Sequence, residues 1–255
     1  MQEEKIKVKG AQIAFYSTEV KVDAPLVFVH GAGSSKLTWR PQIRRFDKKI
    51  RAIALDLPGH GDSDGEACDS IDDYVRLLID FLDALKIESA IICGHSMGGA
   101  IAQTFALAHP KRTRAIVLVA TGAKLRVFPI IFEMLKGDVD KFFEMFCEWS
   151  FGPNTKKNVI DAAVAMMRTC PVEFIARDFL ACDKFNLMNE VQNIKTPALV
   201  VGAKFDNLTP EKYSEYLAQN IANARLEIVE DSGHMIPLEK PVALSKFVLD
   251  FVKSV

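Results

Sequence analysis

The sequence predicts an α/β fold: a twisted, mostly parallel sheet with helices on both faces, interrupted once by a helical insertion. Three observations carry this. Short apolar runs recur along the chain, several too continuously apolar for a sheet with one wet face. Stretches with helical spacing separate most of them, which argues for right-handed βαβ units. The alternation breaks between about 122 and 190, where no strand pattern occurs.

Residues 5–9 and 12–17 alternate loosely around Gly10-Ala11 and predict an opening hairpin. Strands follow at 26–29, 50–55, 90–93, 115–120, 198–201 and 226–229. Ile71, Tyr74, Val75, Leu78, Phe81, Leu82 and Leu85 recur at intervals that put them on one helix face, with Ser70 as its N-cap. A helix over 97–108 ends at His109-Pro110, and helices over 210–218 and 241–252 each open on a proline, which suits a first turn. The 122–190 stretch is too long for a structureless loop. It predicts helices near 128–136, 139–150, 155–169 and 171–183, rich in Phe and Met. The expected organisation is a sheet core over 1–121 and 191–255, with 122–190 as a helical cap.

The 255 residues fit one large domain, and the 49% hydrophobic and 25% charged composition is that of a soluble globular protein. A formal net charge of -1 with no basic tract gives no field favouring nucleic acid or an anionic membrane. The opening MQEEKIKVKG lacks the apolar stretch of a signal peptide, and the apolar runs are too short to span a bilayer. A cytoplasmic protein without stable membrane insertion is expected. The five cysteines, at 68, 93, 147, 170 and 182, show no close-spaced pair for zinc or redox work, and Cys93 and Cys182 suit buried sites.

Chemistry concentrates at four loops that follow strands. In Gly94-His95-Ser96-Met97-Gly98 a serine stands between an apolar strand and a helix, with glycines two residues to either side. Such an elbow exposes the hydroxyl, and the new helix favours negative charge at its amino end. A neutral hydroxyl needs a base. His234 follows the last strand, at the sheet edge where active-site groups gather. The base needs a carboxylate to orient it. Asp206 follows the preceding strand and gives the chain order Ser, Asp, His; Asp231, three residues from His234, is the second candidate and suits a turn. An oxyanion hole needs two N–H donors. Met97 supplies one, and the small-residue loop His30-Gly31-Ala32-Gly33-Ser34-Ser35 the other, with Ala32 as donor and Gly33 in reserve. His30 reads as structural and His95 as packed beside the serine. The Asp56–Asp64 stretch lacks a metal-ligand set and reads as a turn dense in Pro, Gly and Asp.

The stretches FVHGAGSSKLTW, ALDLPGHGDSD, ICGHSMGGAIAQTFALAHP, VVGAKFDNLTP and VEDSGHMIPLEKP together resemble the α/β-hydrolase superfamily, and within it the small capped esterases and monoacylglycerol lipases. The resemblance covers nearly the whole chain. It implies an eight-stranded sheet with an antiparallel second strand and a cap that sets the substrate; no cofactor is expected, and no metal, for want of a ligand set. The expected partner is a small-molecule ester, and the Phe and Met faces of the 122–190 stretch suit an apolar acyl or aryl part; a monomer or small homo-oligomer is expected. Gly31, Gly33, His95, Phe128, Met145 and Met235 are the expected substrate contacts. Lactonases, thioesterases, carbon–carbon bond hydrolases and small-molecule receptors share the fold and stay open as alternatives. A dehalogenase would carry Asp in place of Ser96.

Overall fold

A computed structural model describes residues 1–20 and 24–255. The chain opens on β1 (Gln2–Val8) and β2 (Ala11–Ser17), paired antiparallel from Gln2 opposite Ser17 to Val8 opposite Ala11. Next come β3 (Leu26–Val29), α1 (Arg40–Phe46), β4 (Ala52–Leu55), α2 (Ile71–Ala84), β5 (Ala90–His95), α3 (Met97–Ala108) and β6 (Thr113–Val119). Four helices then intervene: α4 (Pro129–Gly137), α5 (Val139–Ser150), α6 (Lys157–Met167) and α7 (Val172–Lys184). The chain returns to the sheet with β7 (Ala198–Ala203), α8 (Glu211–Asn220) and β8 (Ala224–Val229), and closes with the short α9 (Ile236–Glu239) and α10 (Pro241–Val252). The eight strands form one sheet in the order β1-β2-β4-β3-β5-β6-β7-β8, in which β2 alone runs antiparallel to the rest.

The period-2 alternation of a strand divides the core in two. Val27, Val29, Ile92, Ile116, Leu118 and Val200 face Tyr74, Leu78, Phe81, Ile101, Phe105 and Leu217 of α2, α3 and α8. Leu26, Phe28, Ile91, Cys93, Val117 and Val201 face Trp39, Ile43, Phe46, Leu244 and Val248, from the turn before α1, α1 itself and α10. Phe28 anchors the second side, its ring 4.6 Å from Trp39 and stacked on Phe46. Fully burying a side chain of this size contributes ~1.5–3 kcal/mol. Both sheet faces are therefore dry, which is why the strands read as continuous apolar runs. Ser70 caps α2 by accepting the Asp73 N–H at 3.2 Å.

Two elements differ from the sequence expectation. The turn at Lys36–Trp39 and helix α1 carry no legible periodicity, because a seven-residue helix that buries Gln42, Ile43 and Phe46 is too short to show one. The run at 226–229 is found within β8, which lies at the sheet edge, where one strand pairs with it and Leu226 stays exposed.

The four-helix insertion is joined at its stem. Lys124 bridges Asn186, Leu187 N–H donates to Ala123 O at 2.7 Å, and Val127 N–H donates to Asp183 Oδ1 at 3.0 Å. No described helix is long and apolar enough to cross a membrane.

Candidate active site

Ser96 sits between β5 and α3 with φ 53° and ψ −115°. This left-handed backbone costs a non-glycine residue ~1–3 kcal/mol, so the surrounding structure has to enforce it. The enforcement is visible in the bonds and in the flanking glycines. Ser96 N–H donates to Val119 O at 3.0 Å, and Thr121 Oγ1 donates to Ser96 O at 2.8 Å. A Cβ on Gly94 would collide with the Gly98 backbone, and one on Gly98 with the carbonyl oxygens of Val29 and His30. Both positions need glycine because β5, α3 and the end of β3 meet there with no room for a side chain.

His234 and Asp206 meet at the carboxyl ends of β8 and β7. His234 Nδ1 lies 2.9 Å from Asp206 Oδ2, and both residues are buried. Thr209 completes the arrangement: its N–H donates to Asp206 Oδ1 at 2.8 Å and its hydroxyl to Oδ2 at 2.7 Å, alongside the Leu208 N–H at 2.9 Å. Burial pushes the Asp206 carboxyl up, but His234 and the Thr209 donors outweigh it and hold the group below its usual range. Asp231 is elsewhere, exposed and bonded to Lys240 at 2.7 Å and Asn154 at 3.1 Å. The structure thus brings Asp206, and not Asp231, to His234.

His95 packs between Trp39 and His234, its ring 4.8 Å from that of His234. Burial drives its imidazole down to about 3, so it is neutral at neutral pH. Its Nε2–H donates to the His234 carbonyl at 2.9 Å, which leaves Nδ1 as a buried lone pair with no partner among the described residues. His95 therefore steadies the His234 loop and cannot act as a cation. Glu239 holds the same loop from α9 by accepting the Gly233 N–H at 3.0 Å and the Gly152 N–H at 2.8 Å. His30 is structural: Nδ1–H donates to Gly31 O at 2.9 Å and Nε2 accepts the Leu57 N–H at 3.0 Å.

Ser96 and His234 line one cavity with two lobes. The first encloses about 440 Å³ of atom-free space, mouth included, and is walled by Phe146, Met166, Met167 and Phe179 from the insertion, with Gly31, Ala32, His95 and Met235 from the sheet unit. The second runs past Leu125, Phe128, Ile131 and Leu208. Ala32 lines both lobes, and its N–H has no acceptor among the described residues. Met97 opens α3, so its N–H has no partner within the helix. Two expected contacts fall outside the cavity. Met145 packs against the apolar core, because the α5 face that reaches the cavity carries Phe146. Gly33 is turned away, and its N–H is taken by Asp178 Oδ2 at 2.8 Å, which removes it as the reserve donor.

Thr209, Glu239, Met166, Met167 and Phe179 were not legible as site residues. Thr209, three residues after Asp206, carries the one local signal, an Asp-x-x-Thr spacing suited to side chain–backbone bonding.

Residues 26–247 match the Alpha/beta hydrolase family, and the chain belongs to it. It is similar to a solved thermophilic esterase at 31% identity and a TM-score of 0.88, covering 99% of this chain and 98% of the other. It is 25% identical over 237 residues to 3-oxoadipate enol-lactonase 1 of Acinetobacter baylyi, covering 90% and 89% of the two chains. It is 24% identical over 258 residues to the monoacylglycerol lipase ABHD6 of Homo sapiens, covering 90% and 75%.

Proposed function

We propose that this hydrolase of the α/β-hydrolase family is a serine esterase for small to medium esters with an apolar acyl or aryl part, acting through an acyl-enzyme beneath a cap formed by residues 122–190. The observation that supports it most is the convergence of Ser96, on its strained elbow, and the His234–Asp206 pair on a single, largely apolar cavity.

In this reading His234 Nε2 takes the Ser96 proton as Oγ attacks the ester carbonyl. Asp206, bonded to Nδ1, fixes the tautomer and stabilises the imidazolium. The Met97 and Ala32 N–H groups hold the oxyanion. The imidazolium then protonates the departing alkoxide as the carbon–oxygen bond breaks. Water, deprotonated by His234, attacks the acyl-enzyme and releases the acid, and the proton returns to Ser96. A lactone, being a cyclic ester, would follow the same steps.

The test pairs fluorophosphonate labelling with a chain-length series of nitrophenyl esters. Labelling at Ser96 and rapid turnover of several esters are expected. Stoichiometric labelling with negligible turnover would point to a small-molecule receptor, and turnover by Ser96→Ala at the wild-type rate would remove the serine from the mechanism.

A further inference from the structure

We propose that Asp178, on α7, is a positioning residue that holds the Gly31–Ser34 loop at the geometry oxyanion binding needs, and so sets turnover from outside the cavity. The proposal rests on the serine esterase reading above. Asp178 is fully buried, and its carboxylate collects donors from three separate parts of the sheet unit. Gly33 N–H reaches Oδ2 at 2.8 Å, His60 Nε2 lies 2.9 Å from the same oxygen, and the Tyr74 hydroxyl donates to Oδ1. Gly33 directly follows Ala32, the residue that lines both lobes beside Ser96.

The carboxylate cannot swing. His60 is fixed at its other nitrogen by donating Nδ1–H to Pro58 O at 2.9 Å, and Tyr74 accepts the Cys68 N–H at 3.0 Å. The loop is held from the insertion side by packing as well: Gly33 has φ +62°, and a Cβ there would press on Met167 of α6 and Ile175 of α7. Asp178 itself does not line the cavity, whereas its neighbour Phe179 does. A backbone N–H bound to a carboxylate makes one of the stronger hydrogen bonds, and this one crosses from the insertion to the loop. Releasing it would let the Ala32 amide drift, and misplacement by about 1 Å can cost up to ~10²-fold in rate. A cap helix would then do more than shape the pocket, because it would also set the oxyanion donor.

The experiment compares Asp178→Asn, Asp178→Glu, Tyr74→Phe and Ser96→Ala on a nitrophenyl ester, well below each melting temperature. It also measures the affinity of an alkylboronic acid, whose serine adduct is tetrahedral. Asp178→Asn is expected to lose roughly 10–100-fold in kcat with KM within about threefold, and boronate affinity should fall by a similar factor. Asp178→Glu keeps the charge but shifts the oxygens by one methylene, and should lose about 3–10-fold in kcat with KM unchanged. Tyr74→Phe leaves the Gly33 bond in place, so it should lower Tm but keep kcat within about twofold. Wild-type kcat in Asp178→Asn, or losses that track Tm across Asp178→Asn and Tyr74→Phe, would overturn the proposal. If Asp178→Asn does not fold, Asp178→Glu decides: full kcat there overturns it equally. Ser96→Ala separates the two readings, because only its continued activity would count against the serine mechanism itself.

Discussion

Among the described residues are two buried carboxylate–histidine pairs, Asp206–His234 and Asp178–His60, each with nitrogen and oxygen 2.9 Å apart. Their chemistry on paper is the same, and their use of the second ring nitrogen separates them. His234 spends Nδ1 on Asp206 and Thr209 and lines the Ser96 cavity, which leaves Nε2 for the proton transfer of the proposed mechanism. His60 spends Nε2 on Asp178 and Nδ1 on Pro58 O, and it lines neither lobe of that cavity. Burial lowers the His60 imidazole, but the Asp178 charge and bond outweigh it and hold the ring well above 6.5. A histidine becomes a base when one nitrogen is tied and the other faces space. With both tied, it becomes a rivet between the insertion and the loop after β4.

The comparison can be broken in several places. Ser96→Ala has the largest expected effect, a loss of at least ~10⁴ in kcat with Tm near or above that of the wild type. Steady-state kinetics and a melting curve check it, and a loss that follows unfolding would count against the assignment. Asp206→Asn should cost about 10⁴ in kcat by favouring the wrong tautomer, while Asp231→Asn, at an exposed site bonded to Lys240, should change kcat by less than about twofold. The reverse result would move the acid to Asp231.

His60→Gln should act on stability first. Breaking a buried pair costs ~3–5 kcal/mol, or a Tm lower by about 10 °C in a domain of this size. Turnover at 25 °C should stay within about tenfold of the wild type, because His60 reaches the serine only indirectly, through its bond to Asp178 and its ring contact with His30 at the start of the loop. Thr209→Val removes one bond to Asp206 and should cost about fivefold in kcat, consistent with roughly 1 kcal/mol per hydrogen bond.

The smallest effect is on the pH dependence of stability. Because the His60 imidazole is raised above 6.5, its pairing stabilises the fold fully below that pH and is lost as pH climbs through the folded value. Tm should therefore fall on the alkaline side in the wild type, and less so in His60→Gln. Asp206 has the opposite sign. Its carboxyl is held below 3.8, so its contribution is present above that pH and disappears as pH falls through the folded value. Asp206→Asn should flatten the acid limb only.

The difference between the pairs also marks what a linear reading can reach. Ser96, Asp206 and His234 each follow an apolar run, so their placement at strand ends was legible. His60 sits in a comparable loop after β4, and nothing in Asp56–Asp64 announced that it would be sealed. Its partner lies 118 residues away on a helix whose face could not be oriented from spacing alone. The same limit explains Met145 and Phe146. Both suit an apolar wall, and only the roll of α5 put Phe146 in the cavity and Met145 against the core. Gly33 read as a spare donor because its acceptor is equally remote.

The sequence by itself determined the parallel sheet, through apolar runs that only two dry faces can accommodate, and the elbow, through glycines that local sterics demand. It also determined the order of the chemical groups, since a strand-end loop can be recognised from its neighbours. Tertiary structure decided which carboxylate meets which histidine, which faces of α5–α7 wall the cavity, and that Asp178 grips the loop beside Ser96. Those pairings are made between segments far apart in the chain, so no local pattern encodes them. They exist only once helix roll and insertion docking have set the distances.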